Sequence, residues 1–254
     1  MQEAYIISDI DGVLCDFLSA FRERLMKRFG WAPAASKFTT YELEVPIMRE
    51  YKIPREEALA ISTSLIKEVE SCPYVPMHYR TVKAYSQFFC NQAIHKDHRL
   101  FPWHVKFVSG RSDTPENATA MQSILKRHLP LLANNADLSC ILNCNLEQKL
   151  AIAIRFANYA PNHPFLLIDD HPSIIRLFIE SRAKVPNNLQ LVVPIQPYNR
   201  YAFYANLEAM RDGSIFFTKK LSCDQLFQLF AILRRKIAAE RINRISQLFV
   251  LKGI

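Results

Sequence analysis

The chain has 254 residues, of which 50% are hydrophobic and 22% charged, enough to bury a sizeable core and to exclude a disordered or fibrous protein. The formal net charge of +8 is uneven: ten Lys/Arg stand against four Asp/Glu from Arg200 to Ile254, so the basic character sits mainly in the C-terminal tail. No apolar run approaches the roughly 18 residues of a membrane span, and Asp9 and Asp11 break the first apolar run, so neither a span nor a cleavable signal is expected and a soluble, cytoplasmic chain is.

The first apolar run, "AYII" at 4–7, reads as a strand and meets Asp9, Asp11 and Gly12. Helical spacing follows in "FLSAFRERLMKRFG" and in "PREEALAISTSLIKEVE", where Pro54 marks a helix start. "PYVPMHYRTVKAYSQFF" then returns the chain to the sheet. The next strand is "VKFV" at 105–108, followed by a helix with Thr114 as N-cap and Pro115 at its first position. Strands "CIL" at 140–142, "FLLI" at 165–168 and "LQLVVPI" at 189–195 alternate with helices in "NLEQKLAIAIRFA" and "HPSIIRLFIES". These runs are short and mostly unalternating, as strands covered on both faces of a parallel sheet are. "SIFF" at 214–217 offers an edge strand at most. From Ser222 a long helix carries an apolar stripe (Leu226, Leu229, Phe230, Leu233, Ile237, continued by Ile242, Ile245, Leu248 and Phe249), with Arg234, Arg235, Lys236, Arg241 and Arg244 interleaved.

This order predicts an α/β fold, a Rossmann-like three-layer parallel sheet with a small helical cap inserted after the first strand and a C-terminal helical extension. The expected divisions are 1–17 and 76–200 for the core, 18–75 for the cap and 201–254 for the extension. The six cysteines include no CxxC pair, and Cys140 and Cys144 suit free thiols in a reducing compartment better than a metal site.

In open α/β sheets ligands bind outside the carboxyl ends of the strands. Asp9, Asp11 and Gly12 follow the first strand; Ser109, Gly110 and Arg111 the second; Lys149 lies beyond the third; Asp169 and Asp170 follow the fourth. Carboxylates from two strands are hard oxygen ligands suited to Mg²⁺. Asp9 and Asp11, two residues apart, point the same way along an extended chain, so one can attack phosphorus while the other handles a proton. Ser109 and the Gly110 backbone can bond phosphate oxygens, Lys149 can offset their charge, and Arg111 either meets phosphate or sugar or pairs with Asp113.

The segments "IISDIDGVL", "VKFVSGR", Lys149 in "NLEQKLAI" and "FLLIDDHP" resemble, in order, the four motifs of the haloacid dehalogenase-like superfamily of aspartate-nucleophile phosphatases. "DIDGVLCDF" is most similar to the first motif of the 5′(3′)-deoxyribonucleotidases, and "PIQPYN" at 194–199 to the end of their core. Their second motif often carries Thr-Ser or Ser-Pro where this chain has Ser-Gly-Arg. The resemblance implies Asp9 as nucleophile, Asp11 as general acid/base, and Ser109 and Lys149 as phosphate binders. It implies Mg²⁺ held by Asp9, the Asp11 carbonyl and the Asp169/Asp170 pair.

The expected substrate is a nucleoside monophosphate, its base against Phe17 and Phe21, with Trp31, Phe38 and Tyr41 behind them. Two alternatives stand beside it. One is a phosphatase for nucleic-acid ends, gripped by the basic tail. The other is an interaction protein whose C-terminal helix packs on its own core, pairs as a homodimer, or binds nucleic acid or an anionic membrane surface.

Overall fold

A computed structural model describes residues 3–94, 103–130, 140–205, 213–219 and 221–251. Six strands form one parallel sheet: β1 (Ala4–Ser8), β2 (Trp103–Val108), β3 (Cys140–Ile141), β4 (Phe165–Ile168), β5 (Leu189–Pro194) and β6 (Ile215–Thr218), in the order β3-β2-β1-β4-β5-β6. β1 lies at the centre, where the strand order reverses, with Ser8 level with Ile168 of β4. The "SIFF" segment is a genuine edge strand, pairing parallel to β5 from Leu191↔Ile215 to Pro194↔Thr218. All residues of β4 and β5 are buried, which explains their unbroken apolar sequence.

Between β1 and β2 the described residues include the α-helices α1 (Phe17–Phe29), α2 (Glu44–Tyr51), α3 (Arg55–Glu70) and α4 (Tyr79–Ile94). α1 begins where the Asp16 carboxylate accepts from Ser19 N and Oγ at 3.0 and 2.7 Å, and ends at Gly30, whose φ of 73° suits the left-handed C-cap. The "RTVKAYSQFF" segment is itself a helix, and α2 is a helix that the sequence pattern does not announce.

The remaining helices start as their sequences indicate. α5 (Pro115–His128) is capped by Thr114, with Pro115 in its first turn. α6 (Leu146–Tyr159) opens on a reciprocal capping box between Asn145 and Gln148, with both bonds at 2.8 Å. α7 (Pro172–Glu180) is capped by His171, and α8 (Arg200–Ala205) follows β5. α9 (Cys223–Leu251) opens on a Ser222/Gln225 pair.

The sheet separates two apolar layers. On one face Ile7, Leu167, Leu191 and Val193 pack with α6 and α7 through Leu150, Ile174 and Phe178. On the other, Ile6, Leu166, Ile168 and Val192 join residues of α4, α5, α9 and the inserted helices in one cluster. α9 belongs to that layer: Leu226, Leu229, Phe230, Leu233 and Ile237 are buried, and Phe230 stacks on Phe88 of α4 at 6.0 Å. The apolar stripe that a partner would need is therefore taken up, over this length, by the chain's own core. Ile242 is exposed; the side chains of Ile245, Leu248 and Phe249 lie outside the described residues.

Truncating Phe230 to Ala should cost about 3–5 kcal/mol of unfolding free energy, the usual range for a fully buried aromatic. The midpoint of urea unfolding reads this directly. A variant as stable as the wild type would show that α9 is not part of the folded core.

Candidate active site

β1 and β4 are neighbours, so the residues just past their carboxyl ends face one another across the crevice where the strand order reverses. Asp9 N donates to Ile168 O at 2.8 Å, which sets Asp9 beside Asp169. Lys149, in the first turn of α6, reaches between them: its Nζ lies 2.5 Å from Asp9 Oδ2 and 3.0 Å from Asp169 Oδ2. Asp170 completes a group with Asp9 and Asp169 in which one oxygen of each lies within 4.8 Å of the others. All four side chains are buried.

Three carboxylates thus share one ammonium. Burial pushes the Asp9 carboxyl up to about 7; Lys149 opposes the shift, and Asp169 and Asp11 reinforce it. Asp170 is pushed well above the ordinary carboxylate range by burial, with Asp169 and Asp9 adding to it. Burial works against the Lys149 charge, but Asp9 and Asp169 outweigh it and hold the lysine protonated. Such a crowd of hard oxygen donors, short of positive charge, fits a divalent cation held by Asp9, Asp169 and Asp170.

Around this group the contacts are specific. Tyr198 donates to Asp170 Oδ2, and Asn199 Nδ2 donates to Asp170 O at 2.7 Å and Pro194 O at 2.8 Å. Gln196 Nε2 donates to Gly12 O at 2.7 Å. The "QPYN" turn therefore braces the segments after β1 and β4 together. Gly12 has φ 75°, and a Cβ there would fall 1.8 Å from Asp170 Oδ2. Its glycine is needed because the Asp170 carboxylate occupies the place of a side chain.

Asp11 points elsewhere. Arg111 Nε and Nη2 donate to its two oxygens at 2.7 and 2.6 Å, and Nη1 donates to Glu70 O at the end of α3 at 2.7 Å. The pairing of Arg111 is thus with Asp11, across a hundred residues of sequence, rather than with Asp113. Arg111 is fully buried, so this fork fixes the Asp11 carboxylate against the inserted helices. The loop that carries Arg111 is tied to the segment after β3 by Ser109 N to Ile141 O at 2.9 Å and Asn143 N to Arg111 O at 2.7 Å.

A cavity of about 500 Å³ opens over the site. Asp9, Asp11, Gly12, Gly110, Arg111 and Lys149 line its polar floor; Phe17, Leu43, Leu59 and Ile66 form an apolar wall. Ser109 lies fully buried beneath it, its Oγ accepting from Arg111 N at 3.2 Å, and Asp169 and Asp170 stand behind Asp9. Phe21 is a correction: it is fully buried, edge-on to Phe38 at 6.2 Å, and cannot stack on a ligand. Phe38 is buried with it, and Trp31 packs on Tyr51 instead. Tyr41, His171 and Tyr198 line the cavity beside Phe17, the Tyr41 ring lying 3.9 Å from His171 and 5.5 Å from Tyr198. A wider groove of about 870 Å³ lies at the amino ends of β4 and β5, lined by Asn158, Arg182, Asn188 and Arg241 among others. The carboxylate group is not part of it.

No protein-family model matches the sequence, and no curated protein sequence matches it either. Among solved structures, a protein assigned as a beta-phosphoglucomutase from Bacteroides vulgatus is similar over 91% of this chain and 90% of its own, at 15% identity and TM-score 0.47. One assigned as a haloacid dehalogenase-like hydrolase from Bacteroides fragilis is similar over 87% of this chain and 98% of its own, at 12% identity and TM-score 0.47. The assigned HAD-hydrolase YfnB from Bacillus subtilis, bound to magnesium, is similar over 91% of this chain and all of its own (100%), at 10% identity and TM-score 0.48. Similarity at this level settles neither substrate nor mechanism, which rest on this chain's own side chains.

Two outcomes follow from the charge balance. The Asp9 carboxyl keeps its proton to about 7 in the fold, against a usual 3.8. Between those values the folded state holds the extra proton, so this residue's contribution to stability falls as pH rises. In EDTA, Asp9→Asn should therefore gain in melting temperature over wild type as pH rises from about 5 to about 8, and a divalent cation should close the gap. A gap that is constant or shrinks with pH would show that burial does not hold the Asp9 carboxyl protonated. Gly12→Ala should abolish the thermal stabilisation by added Mg²⁺, because the new Cβ displaces the Asp170 carboxylate; an unchanged shift would remove Asp170 from the cation site.

Proposed function

We propose that the chain is a Mg²⁺-dependent phosphomonoester hydrolase that works through an aspartyl-phosphate, acting on nucleoside monophosphates. The observation that carries this reading is the buried Asp9–Asp169–Asp170 group around Lys149, with Asp11 two residues beyond on the floor of the same cavity. The order of the four segments along the chain, with its resemblance to aspartate-nucleophile phosphatases, supports it. In this reading α1–α3 form a cap over the site.

Asp9, Asp169 and Asp170 would hold the Mg²⁺, which supplies charge neutralisation that lets a phosphate dianion approach a carboxylate nucleophile. An Asp9 oxygen forms a bond to phosphorus as the bond from phosphorus to the leaving oxygen breaks. Asp11 passes a proton to that oxygen and regains one in the second half. Arg111 must then yield one Asp11 oxygen, and the incoming phosphate is the second anion it can turn to. Lys149 and the Gly110 N–H meet the transferring oxygens. In the second half Asp11 takes a proton from water, the water oxygen bonds to phosphorus, and the Asp9–phosphorus bond breaks to release phosphate. Phe17 and Tyr41 offer ring faces to a base.

The test is a phosphate-release screen over ribo- and deoxymononucleotides and sugar phosphates. Release should need Mg²⁺, stop with EDTA, and fall more than about 10³-fold in Asp9→Asn. Turnover at the wild-type rate in that variant would overturn the covalent mechanism, and metal-independent turnover would overturn the cation site.

A further inference from the structure

The cavity has an uneven charge inventory. Among the described residues that line it, the Lys/Arg side chains are Lys149 and Arg111, and both are already engaged. Lys149 serves Asp9 and Asp169, and Arg111 serves Asp11 and the Glu70 carbonyl. Glu44, also at the cavity, is paired with Arg55 at 3.3 Å, and Arg55 lies 3.9 Å from Glu42. Against these stand Glu70, at the end of α3, and Glu147, in the first turn of α6, both at the cavity wall. Leu43, Leu59 and Ile66 fill the wall between.

A reacting phosphate entering here meets Lys149, Arg111 and the cation. A second anionic group on the same molecule meets Glu70, Glu147 and aliphatic side chains, with neutral donors such as Ser62, Thr63 and Asn145 but no further Lys or Arg among the described lining residues. A charge in such a place gains no ion-pair partner among the described lining residues and is opposed by the like charges of Glu70 and Glu147. An apolar face in the same place removes Leu59 and Ile66 from water.

Resting on the hydrolase reading, we propose that this cavity selects phosphomonoesters whose leaving group is neutral and presents an apolar face, and rejects those carrying a second anion. Leu43, Leu59 and Ile66 supply the attraction; Glu70 and Glu147 supply the rejection. Bisphosphates, nucleoside di- and triphosphates and the ends of nucleic acid strands fall in the rejected class. Neutral nucleosides and other uncharged aromatic alcohols fall in the accepted one.

The experiment compares 4-carbamoylphenyl phosphate with 4-carboxyphenyl phosphate, two esters of similar shape that differ by one charge, in Mg²⁺ with the full chain. The carbamoyl ester should have a kcat/KM at least about tenfold higher. Glu147 is exposed, and Glu147→Gln should narrow that ratio. Leu59 is 49% exposed, leaving room for a longer side chain; Leu59→Arg should narrow the ratio further or invert it. Because each readout is a ratio within one protein, a partial loss of folded enzyme does not disguise it. Equal turnover of the two esters by the wild type, preference for the carboxylate, or a ratio unmoved by Leu59→Arg would overturn the proposal while leaving the hydrolase reading in place. Release of phosphate from neither ester, nor from any mononucleotide, would remove the hydrolase reading and the selectivity with it.

Discussion

Three buried carboxylates share one ammonium at the carboxyl ends of β1 and β4, and much of the surrounding structure exists to keep them there. Like charges this close repel, and burial raises the cost. A fold selected for stability alone would replace them with apolar side chains, since a buried ion pair seldom outweighs its own desolvation. Here the crowding is over-determined instead. Parallel pairing of β1 with β4 sets Asp9 beside Asp169. The Asn145–Gln148 capping box fixes the first turn of α6, from which Lys149 projects. Tyr198 and Asn199 hold Asp170 by its carboxylate and its carbonyl, and Gly12 leaves the space. Strain maintained by so many separate contacts points to a ligand that relieves it.

The inserted helices are coupled to this strained floor at more than one place. Where the chain leaves the sheet and where it returns, Asp16 N donates to Pro76 O at 2.7 Å and His78 N to Leu14 O at 2.8 Å, so the two connections run as a short paired ribbon. Gln196 touches Gly12 O and lies 3.2 Å from His78 Nε2, joining that ribbon to the "QPYN" turn. Arg111 makes the third link, between Asp11 and the end of α3. A shift of α3 is therefore felt by Asp11, through one guanidinium. The end of α3, whose Leu59 and Ile66 line the cavity, and the Asp11 carboxylate on its floor are mechanically connected.

How much of this was legible in the sequence depends on whether the signal is local. The central strands were legible because burial on both faces leaves continuous apolar runs, and the ionisable residues after them were legible because a parallel sheet puts every carboxyl end on one edge. β6 was only half legible, since four residues at a sheet edge carry little pattern. α2 was missed: it is eight residues long and contains Pro46. In the site, Phe17 and Phe21 share one face of α1 and looked equivalent, yet Phe38 closes over Phe21 and leaves Phe17 at the cavity. Arg111 had a plausible partner two residues away, but the fold offered Asp11 a hundred residues away. Tyr41 and Tyr198 meet across segments that share no periodicity, and only packing brings them together.

The basic residues Lys236 and Arg241 of α9 belong to a different edge of the molecule. α9 starts beside Thr218, at the carboxyl end of β6, where Gln225 Oε1 accepts from Thr218 Oγ1 at 3.2 Å. It then runs back toward the amino ends, where Lys236 Nζ meets Gly213 O at 3.3 Å just before β6. Ile237 and Arg241 line the groove there, beside the loops that precede β4 and β5. A strand of five residues is about 17 Å long, twice the distance of about 8 Å over which charge is felt at physiological salt. Any polyanion attracted to α9 would therefore be held one sheet-length away from Asp9. Net charge and the charge of the carboxylate group are separate properties in this chain: Lys236 and Arg241 lie toward one edge, and Asp9, Asp169 and Asp170 at the other.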